Sequence, residues 1–124
     1  VLQLETPLNT IKYALNKAKE LNKYTILNPA PAVKLDDEII KNVDLLIYDE
    51  PTSNLDNITA KEVETHLLDE NKTCIMVTHR LDKELLNKFD EILVLENGII
   101  KEYGNLKNLL EKKGTFYTLY RGGE

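Results

Sequence analysis

The stretch Leu45-Leu46-Ile47-Tyr48-Asp49-Glu50 decides the fold of this chain, because four apolar residues in a row are followed directly by two carboxylates. An apolar run without polar alternation is typical of a parallel strand that is covered on both faces. A second such run, residues 73–78, follows a predicted helix over residues 58–68. This order of strand, helix and strand predicts a largely parallel sheet whose crossovers are right-handed.

The N-terminal part of the chain alternates in the same way. Residues 1–5 have the composition of a strand, and Thr6 and Pro7 predict an N-cap followed by proline at the first helical position. Apolar residues at three- and four-residue spacing then indicate an amphipathic helix. A second strand, residues 24–27, leads to a short helix that Asp36 is expected to cap.

The C-terminal part contains a hairpin signal. Asn97-Gly98 separates two apolar runs and therefore predicts a tight turn within a β-hairpin over residues 91–103. After a final helix, the apolar residues 116–120 are expected to form a packing tail. The expected fold is α/β, with a mostly parallel sheet of five or six strands, helices on both faces and the C-terminal hairpin. We expect one domain, made of a segment 1–44 and a segment 45–124.

Composition and charge argue against several classes of function. The chain has 16 Lys and Arg against 21 Asp and Glu, a net charge of −5. This balance argues against a broad nucleic-acid surface, whose affinity comes from basic side chains that neutralise phosphates. No apolar stretch reaches the ~18 residues of a membrane span. The single cysteine, Cys74, is expected to be buried and permits no intrachain disulfide, so the chain is expected to be cytoplasmic.

The distribution of glycine excludes three motifs. All five glycines lie at Gly98 or later. A Walker A loop, a dinucleotide-binding turn and a nucleophile elbow each need glycine where the backbone approaches a ligand or adopts a positive φ. The first 97 residues therefore contain none of these motifs.

Polar residues at two strand ends point to phosphoryl-transfer chemistry. Asp49 and Glu50 follow one predicted strand, and His79 follows the next. Ligands bind at this carboxyl edge in open α/β sheets, so neighbouring strands would bring the three side chains together. An aspartate for hydrated magnesium, a glutamate for a water and a histidine for a terminal phosphate are parts of such a site.

Two other side chains receive structural predictions. His66 lies on a predicted helix among Lys61, Glu62 and Glu64, and we expect it to be solvated. Tyr48 lies within the apolar strand and is expected in the core.

Residues 44–121 resemble the C-terminal half of an ABC-transporter ATPase domain. LLIYDE resembles the Walker B strand with its catalytic glutamate, SNLD the D-loop, and VTHR the switch strand with its histidine. The resemblance implies roles in magnesium binding, action on the attacking water, contact with the γ-phosphate, and cofactor binding by a dimer-facing D-loop. The residues that match these roles are, in that order, Asp49, Glu50, His79, and the pair Ser53 and Asp56.

Residues 1–44 resemble a different family, the ribokinase-type sugar kinases. LQLE-x-P, ILNPAPA and L-x-x-E-I-I-x-x-V-D occur in the order and spacing of an internal piece of that family. The resemblance implies that Glu5 contacts a sugar, although the residues alone favour a carboxylate at the entry to a helix. The two resemblances meet at residues 43–47 and predict an engineered chimera of two α/β proteins.

Two functions are compatible with these patterns. In a complete ABC ATPase domain the Walker A loop and the LSGGQ signature motif both precede Walker B, and the glycine-free residues 1–44 contain neither. The first expectation is therefore a non-catalytic chimeric domain with no cofactor. The alternative is an ABC-type ATPase remnant that binds Mg-ATP weakly, or that a partner completes by supplying the phosphate-binding loop. No membrane or nucleic-acid partner is expected, whereas a missing neighbour beside residues 73–78 favours a homodimer or strand-swapped association.

Overall fold

The computed structural model describes residues 1–29, 35–68 and 71–122, so Ala30 to Ala32 of the ILNPAPA motif lie outside the described residues. Within these ranges the predicted α/β class is confirmed. Four strands, rather than the five or six predicted, form the parallel sheet, and two further strands form a separate antiparallel hairpin. No helix in the same ranges is long and apolar enough to cross a membrane.

The chain divides into two compact units, Val1–His79 and Arg80–Glu124. This boundary differs from the junction of the two sequence segments, 1–44 and 45–124. Compactness and sequence origin are different properties, so the single domain made of two segments stays a prediction.

The first unit alternates strands with helices. Its elements are β1 (Leu2–Gln3), α1 (Leu8–Glu20), β2 (Ile26–Asn28), α2 (Asp37–Asn42), β3 (Leu45–Asp49), α3 (Asn57–Leu68) and β4 (Thr73–Val77). The strands pair in parallel in the order β1-β2-β3-β4, so every helix connects two neighbouring strands. Consecutive right-handed crossovers that progress in one direction place their helices on one face of the sheet.

The core of the first unit lies between these helices and that face. Leu46 and Tyr48 of β3 are 0% and 2% exposed, which confirms the prediction for Tyr48. They join buried side chains from all three helices and from β2 in one cluster, which includes Ile11, Leu15, Leu27, Ile39, Ile40 and Leu67. Burial of this apolar surface is the main force that holds the helices on the sheet.

The opposite face of the sheet is less covered. Leu45 and Ile47 are half-buried, and Ile75 and Val77 of β4 are 52% and 51% exposed. Leu46 and Tyr48 are more deeply buried than Leu45 and Ile47 because α1, α2 and α3 contribute side chains to the face on which Leu46 and Tyr48 lie. Cys74 is half-buried rather than buried, since β4 lies at the end of the sheet.

The start of α1 differs from the sequence prediction. Pro7 is the N-cap residue, with φ −52° and ψ 135°, and no side chain caps the helix. Thr6 instead belongs to the turn after β1, where its N–H donates to the carbonyl of Gln3 at 3.4 Å. The predicted cap of α2 is confirmed, since Asp36 accepts a hydrogen bond from the N–H of Glu38.

The second unit is built around the hairpin. Its elements are α4 (Lys83–Leu86), β5 (Ile92–Glu96), β6 (Ile99–Gly104), α5 (Leu106–Lys112) and α6 (Thr115–Gly122). Asn97 and Gly98 both adopt positive φ, 52° and 75°, as a tight hairpin turn requires. The predicted apolar tail is helical, and its Phe116 is 1% exposed and stacks on Tyr120.

Candidate functional site

The candidate site lies where β3 and β4 end. The two strands are parallel neighbours, with Asp49 opposite Val77. The N–H of Glu50 donates to the carbonyl of Val77 at 2.9 Å, which continues the pairing one residue beyond β3. The sequence prediction that Asp49, Glu50 and His79 share one sheet edge depended on this pairing, and the pairing is present.

Glu50 and His79 contact each other at this edge. Oε1 of Glu50 lies 3.4 Å from Nδ1 of His79, and the two side chains are 49% and 72% exposed. Glu50 has a φ of +42°, a left-handed conformation that residues with a side chain rarely adopt. Backbone strain of this kind persists only where the surrounding structure maintains it, and it clusters at functional sites.

The loop after Glu50 consists of two overlapping turns. The N–H of Ser53 donates to the carbonyl of Glu50 at 3.1 Å, and the N–H of Leu55 donates to the carbonyl of Thr52 at 3.0 Å. These bonds connect the residue at the strand end with the residues that lead into α3. Ser53 is exposed within this loop, so its hydroxyl is accessible to a ligand.

Asp56 caps the start of α3. Its Oδ1 accepts hydrogen bonds from the N–H groups of Ile58 and Thr59, both at 3.1 Å, and its Oδ2 accepts one from the Thr59 hydroxyl at 2.7 Å. The hydroxyl and then the N–H of Thr59 are the main causes that lower the pKa of Asp56 below its ordinary value. The carboxylate of Asp56 is therefore engaged in holding the helix.

A buried pair beneath this loop was not predicted from the sequence. Thr52 and Glu64 are 4% and 0% exposed, and the Thr52 hydroxyl donates to Oε1 of Glu64 at 2.5 Å. His66, whose helical neighbours include Glu64, is exposed as predicted, whereas Glu64 itself is buried. Spacings of four and three residues place Ala60, Glu64 and Leu67 on one buried face of α3, and this spacing was the available signal.

Glu5 lies apart from the other candidate residues. It is exposed in the turn after β1, and β2 separates β1 from β3. Two strand spacings correspond to about 10 Å, so the sheet order does not bring Glu5 to the contact between Glu50 and His79. Its role as a sugar contact stays a prediction.

The carboxylates at the site suit one kind of metal. Across residues 1–29, 35–68 and 71–122, no group of three or more His, Cys, Asp or Glu side chains is arranged to hold an ion. Asp49 and Glu50 nevertheless offer two exposed carboxylates at one strand end. Magnesium commonly binds one or two carboxylates and completes its octahedron with water and phosphate oxygens. The donor set fits a magnesium ion that keeps most of its coordination positions for water or other oxygen ligands.

Sequence comparisons point to one class of proteins. No model of a known protein family matches the chain. An 84-residue stretch is 39% identical to the ATP-dependent lipid A-core flippase of Saccharophagus degradans, and covers 66% of this chain and 14% of the flippase. A stretch of 81 residues is 38% identical to the glutathione/L-cysteine transport system ATP-binding/permease protein CydC of Haemophilus influenzae, and covers 64% of this chain and 14% of CydC.

A comparison with solved structures agrees with the sequences. The chain is similar to a bacterial Atm1-family ABC exporter with ATP bound, with a TM-score of 0.58 and 29% identity over 68% of this chain. The matched region is 15% of the exporter. About two thirds of the chain is therefore similar to ATP-dependent transport proteins, although it spans a small part of their length. The resemblance of residues 1–44 to sugar kinases stays a prediction.

Proposed function

We propose that this chain provides the water-activating side of an ABC-type ATP-binding site. In this proposal the chain alone binds Mg-ATP weakly, and a partner that supplies the phosphate-binding loop completes the site. The observation that carries the proposal is the contact between Glu50 and His79, with 3.4 Å between Oε1 and Nδ1 at adjacent strand ends. The similarity of two thirds of the chain to ATP-dependent transporters supports it.

Each residue at the strand ends has a defined role in the proposal. Asp49 holds the magnesium ion, which offsets the negative charge on the phosphate oxygens when bound. Glu50 orients the attacking water, and His79 donates a hydrogen bond to the terminal phosphate. The exposed hydroxyl of Ser53 is the group of the loop that can reach a nucleotide, whereas Asp56 shapes the loop through its bonds to α3.

Charge explains why the binding is weak. ATP carries about four negative charges, and each uncompensated pair of like charges at ~4 Å costs about 1 kcal/mol in water. Asp49, Glu50 and Asp56 add negative charge to the same region of the first unit. Since residues 1–97 contain no glycine, they provide no glycine-rich cradle of backbone N–H groups to offset this repulsion.

A non-catalytic chimeric domain is the second candidate, and the same absence of glycine from residues 1–97 favours it. In this candidate residues 1–44 come from a sugar kinase, and Asp49 and Glu50 are solvated carboxylates without a ligand. Association as a homodimer or by strand swapping is compatible with both candidates, because β4 lies at the end of the sheet order.

Titration of the purified chain with Mg-ATP separates the two candidates. A ligand of the native state raises the free energy of unfolding by RT ln(1 + [L]/Kd), which is about 0.4 kcal/mol when the ligand concentration equals Kd. We expect a rise at millimolar Mg-ATP that Asp49→Asn removes. The control Glu62→Gln changes an exposed carboxylate on α3 and should leave the rise intact. No rise in the unmodified chain would contradict the proposal and support the non-catalytic candidate.

A further inference from the structure

We infer that Glu64 is a positioning residue, which holds the loop that carries Glu50 through the hydroxyl of Thr52; the inference rests on the proposed function. Glu64 is 0% exposed on α3, and Thr52 is 4% exposed and lies two residues after Glu50. The hydrogen bond between the Thr52 hydroxyl and Oε1 of Glu64 measures 2.5 Å, at the short end for O–H···O bonds. This bond connects Thr52, in the loop after β3, with Glu64 on α3.

Packing alone does not account for a carboxyl group at this position. Ala60 and Leu67, the buried neighbours of Glu64 along α3, are apolar. Burying a carboxyl group and a hydroxyl costs free energy that an apolar pair of similar size would not cost. A hydrogen bond has a direction, however, and an apolar contact does not. The Thr52–Glu64 bond therefore restricts the rotamer of Thr52 and, with it, the path of the loop.

The restriction reaches Glu50 through the backbone of the loop. The carbonyl of Thr52 accepts from the N–H of Leu55, and the next residue, Ser53, donates to the carbonyl of Glu50. The N–H of Glu50 is held in turn by Val77. The positive φ of Glu50 persists only where its surroundings maintain it, and the anchored turn is one of these surroundings.

Amide hydrogen exchange in four variants tests the inference without any nucleotide. Thr52→Val removes the hydroxyl at nearly constant volume, whereas Thr52→Ser and Glu64→Gln each retain a hydrogen bond. We expect the amides of Ser53 and Leu55 to exchange about tenfold faster in Thr52→Val, the effect of one lost hydrogen bond. Thr52→Ser and Glu64→Gln should restore slow exchange, and the exposed control Glu62→Gln should behave like the unmodified chain.

The amides of β3 distinguish positioning from a general loss of stability. If Leu46 and Tyr48 accelerate as much as Ser53, or if Ser53 does not accelerate, the inference is wrong. If Thr52→Val fails to fold, the comparison of Glu64→Leu with Glu64→Gln provides the same test. A Mg-ATP titration of Thr52→Val should also show several-fold weaker binding than Thr52→Ser. Local loosening of the loop in a chain that shows no Mg-ATP binding would support the positioning of Glu50 and contradict the proposed function.

Discussion

Among the described residues, each compact unit buries one glutamate, and the two differ in their partners. Glu64 of the first unit is bonded to the hydroxyl of Thr52 beneath the loop at the strand ends. Glu102 of the second unit is 7% exposed, accepts from the N–H of Phe116 at 2.7 Å, and lies 3.3 Å from the ammonium group of Lys112. Glu102 fixes the start of a helix within a core, whereas Glu64 holds a loop whose neighbouring carboxylates are exposed to a ligand.

Glu102 acts as a cap that comes from a strand rather than from the chain preceding the helix. A carboxylate at a helix N-terminus satisfies backbone N–H groups and interacts favourably with the helix dipole. The N–H of Phe116 is the main cause that lowers the pKa of Glu102 below its ordinary value. Gly114 leaves room for this arrangement, since a Cβ there would lie 1.9 Å from Oε1 of Glu102.

The largest effect is expected from Phe116→Ala, which tests whether Glu102 positions a helix that belongs to the core. Phe116 is 1% exposed and lies in a cluster with Leu86, Val94, Leu106 and Leu109. We expect the free energy of unfolding of this unit to fall by about 3–5 kcal/mol, measured by urea denaturation. Leu119→Ala, at a 51% exposed position of the same helix, should change it by at most about 0.5 kcal/mol.

Equal losses in Phe116→Ala and Leu119→Ala would show that α6 is not held through its buried face. In that case Glu102 would cap a helix that contributes little to the stability of the core, and its role would not differ from that of Glu64 in the way described above.

Gly114→Ala should have the next largest effect, because the new methyl group must displace the carboxylate of Glu102. We expect a loss of about 1–3 kcal/mol, the usual cost of forcing an extra methyl group into a packed site, with faster exchange of the Phe116 amide. Gly122→Ala, at the C-terminal end of α6, is the control, since among the described residues no atom beyond the local backbone lies within 4 Å of a Cβ there. If Gly114→Ala were as stable as the unmodified chain, the bond between Glu102 and the N–H of Phe116 would contribute little to the free energy of unfolding.

The pH dependence of the Phe116 amide should separate the capping carboxylate from the rest of the chain. Because folding lowers the pKa of Glu102, its stabilising contribution is complete above the ordinary value of 4.5 and is lost as pH falls through the lower folded-state pKa. We expect Phe116 to exchange faster in this acidic range relative to the other amides of α6. Glu102→Gln should remove this dependence, and Glu91→Gln, at an exposed position, should retain it.

A local measurement is needed here because the pKa of Asp56 is also lowered, so the first unit loses stability in acid as well. If the pH profile at Phe116 is the same in Glu102→Gln, the carboxylate is not the group that titrates.

The sequence predicted the site edge better than it predicted the buried polar pairs, for a physical reason. The pairing of β3 with β4 follows from two apolar runs with a helix between them, and both signals are local. The burial of a polar side chain depends instead on a distant partner. Thr52 lies 12 residues from Glu64, and Phe116 lies 14 residues from Glu102. The residues around Glu64 therefore do not reveal its burial, which depends on the packing of α3 against the sheet.

Lys112→Met should have the smallest effect and decides which donor anchors Glu102. The ammonium group lies 3.3 Å from Oε1, but the Lys112 side chain is 59% exposed, so water and salt screen the pair. We expect a lower melting temperature in low salt and no difference from the unmodified chain at high ionic strength. Lys107→Met removes a more exposed pair, 3.9 Å from Glu111, and should change the melting temperature even less.

If Lys112→Met destabilises the unit as much as Gly114→Ala does, the ion pair rather than the Phe116 N–H holds Glu102. The carboxylate of Glu102 would then depend on a solvent-exposed cation, whereas Glu64 depends on a buried hydroxyl group.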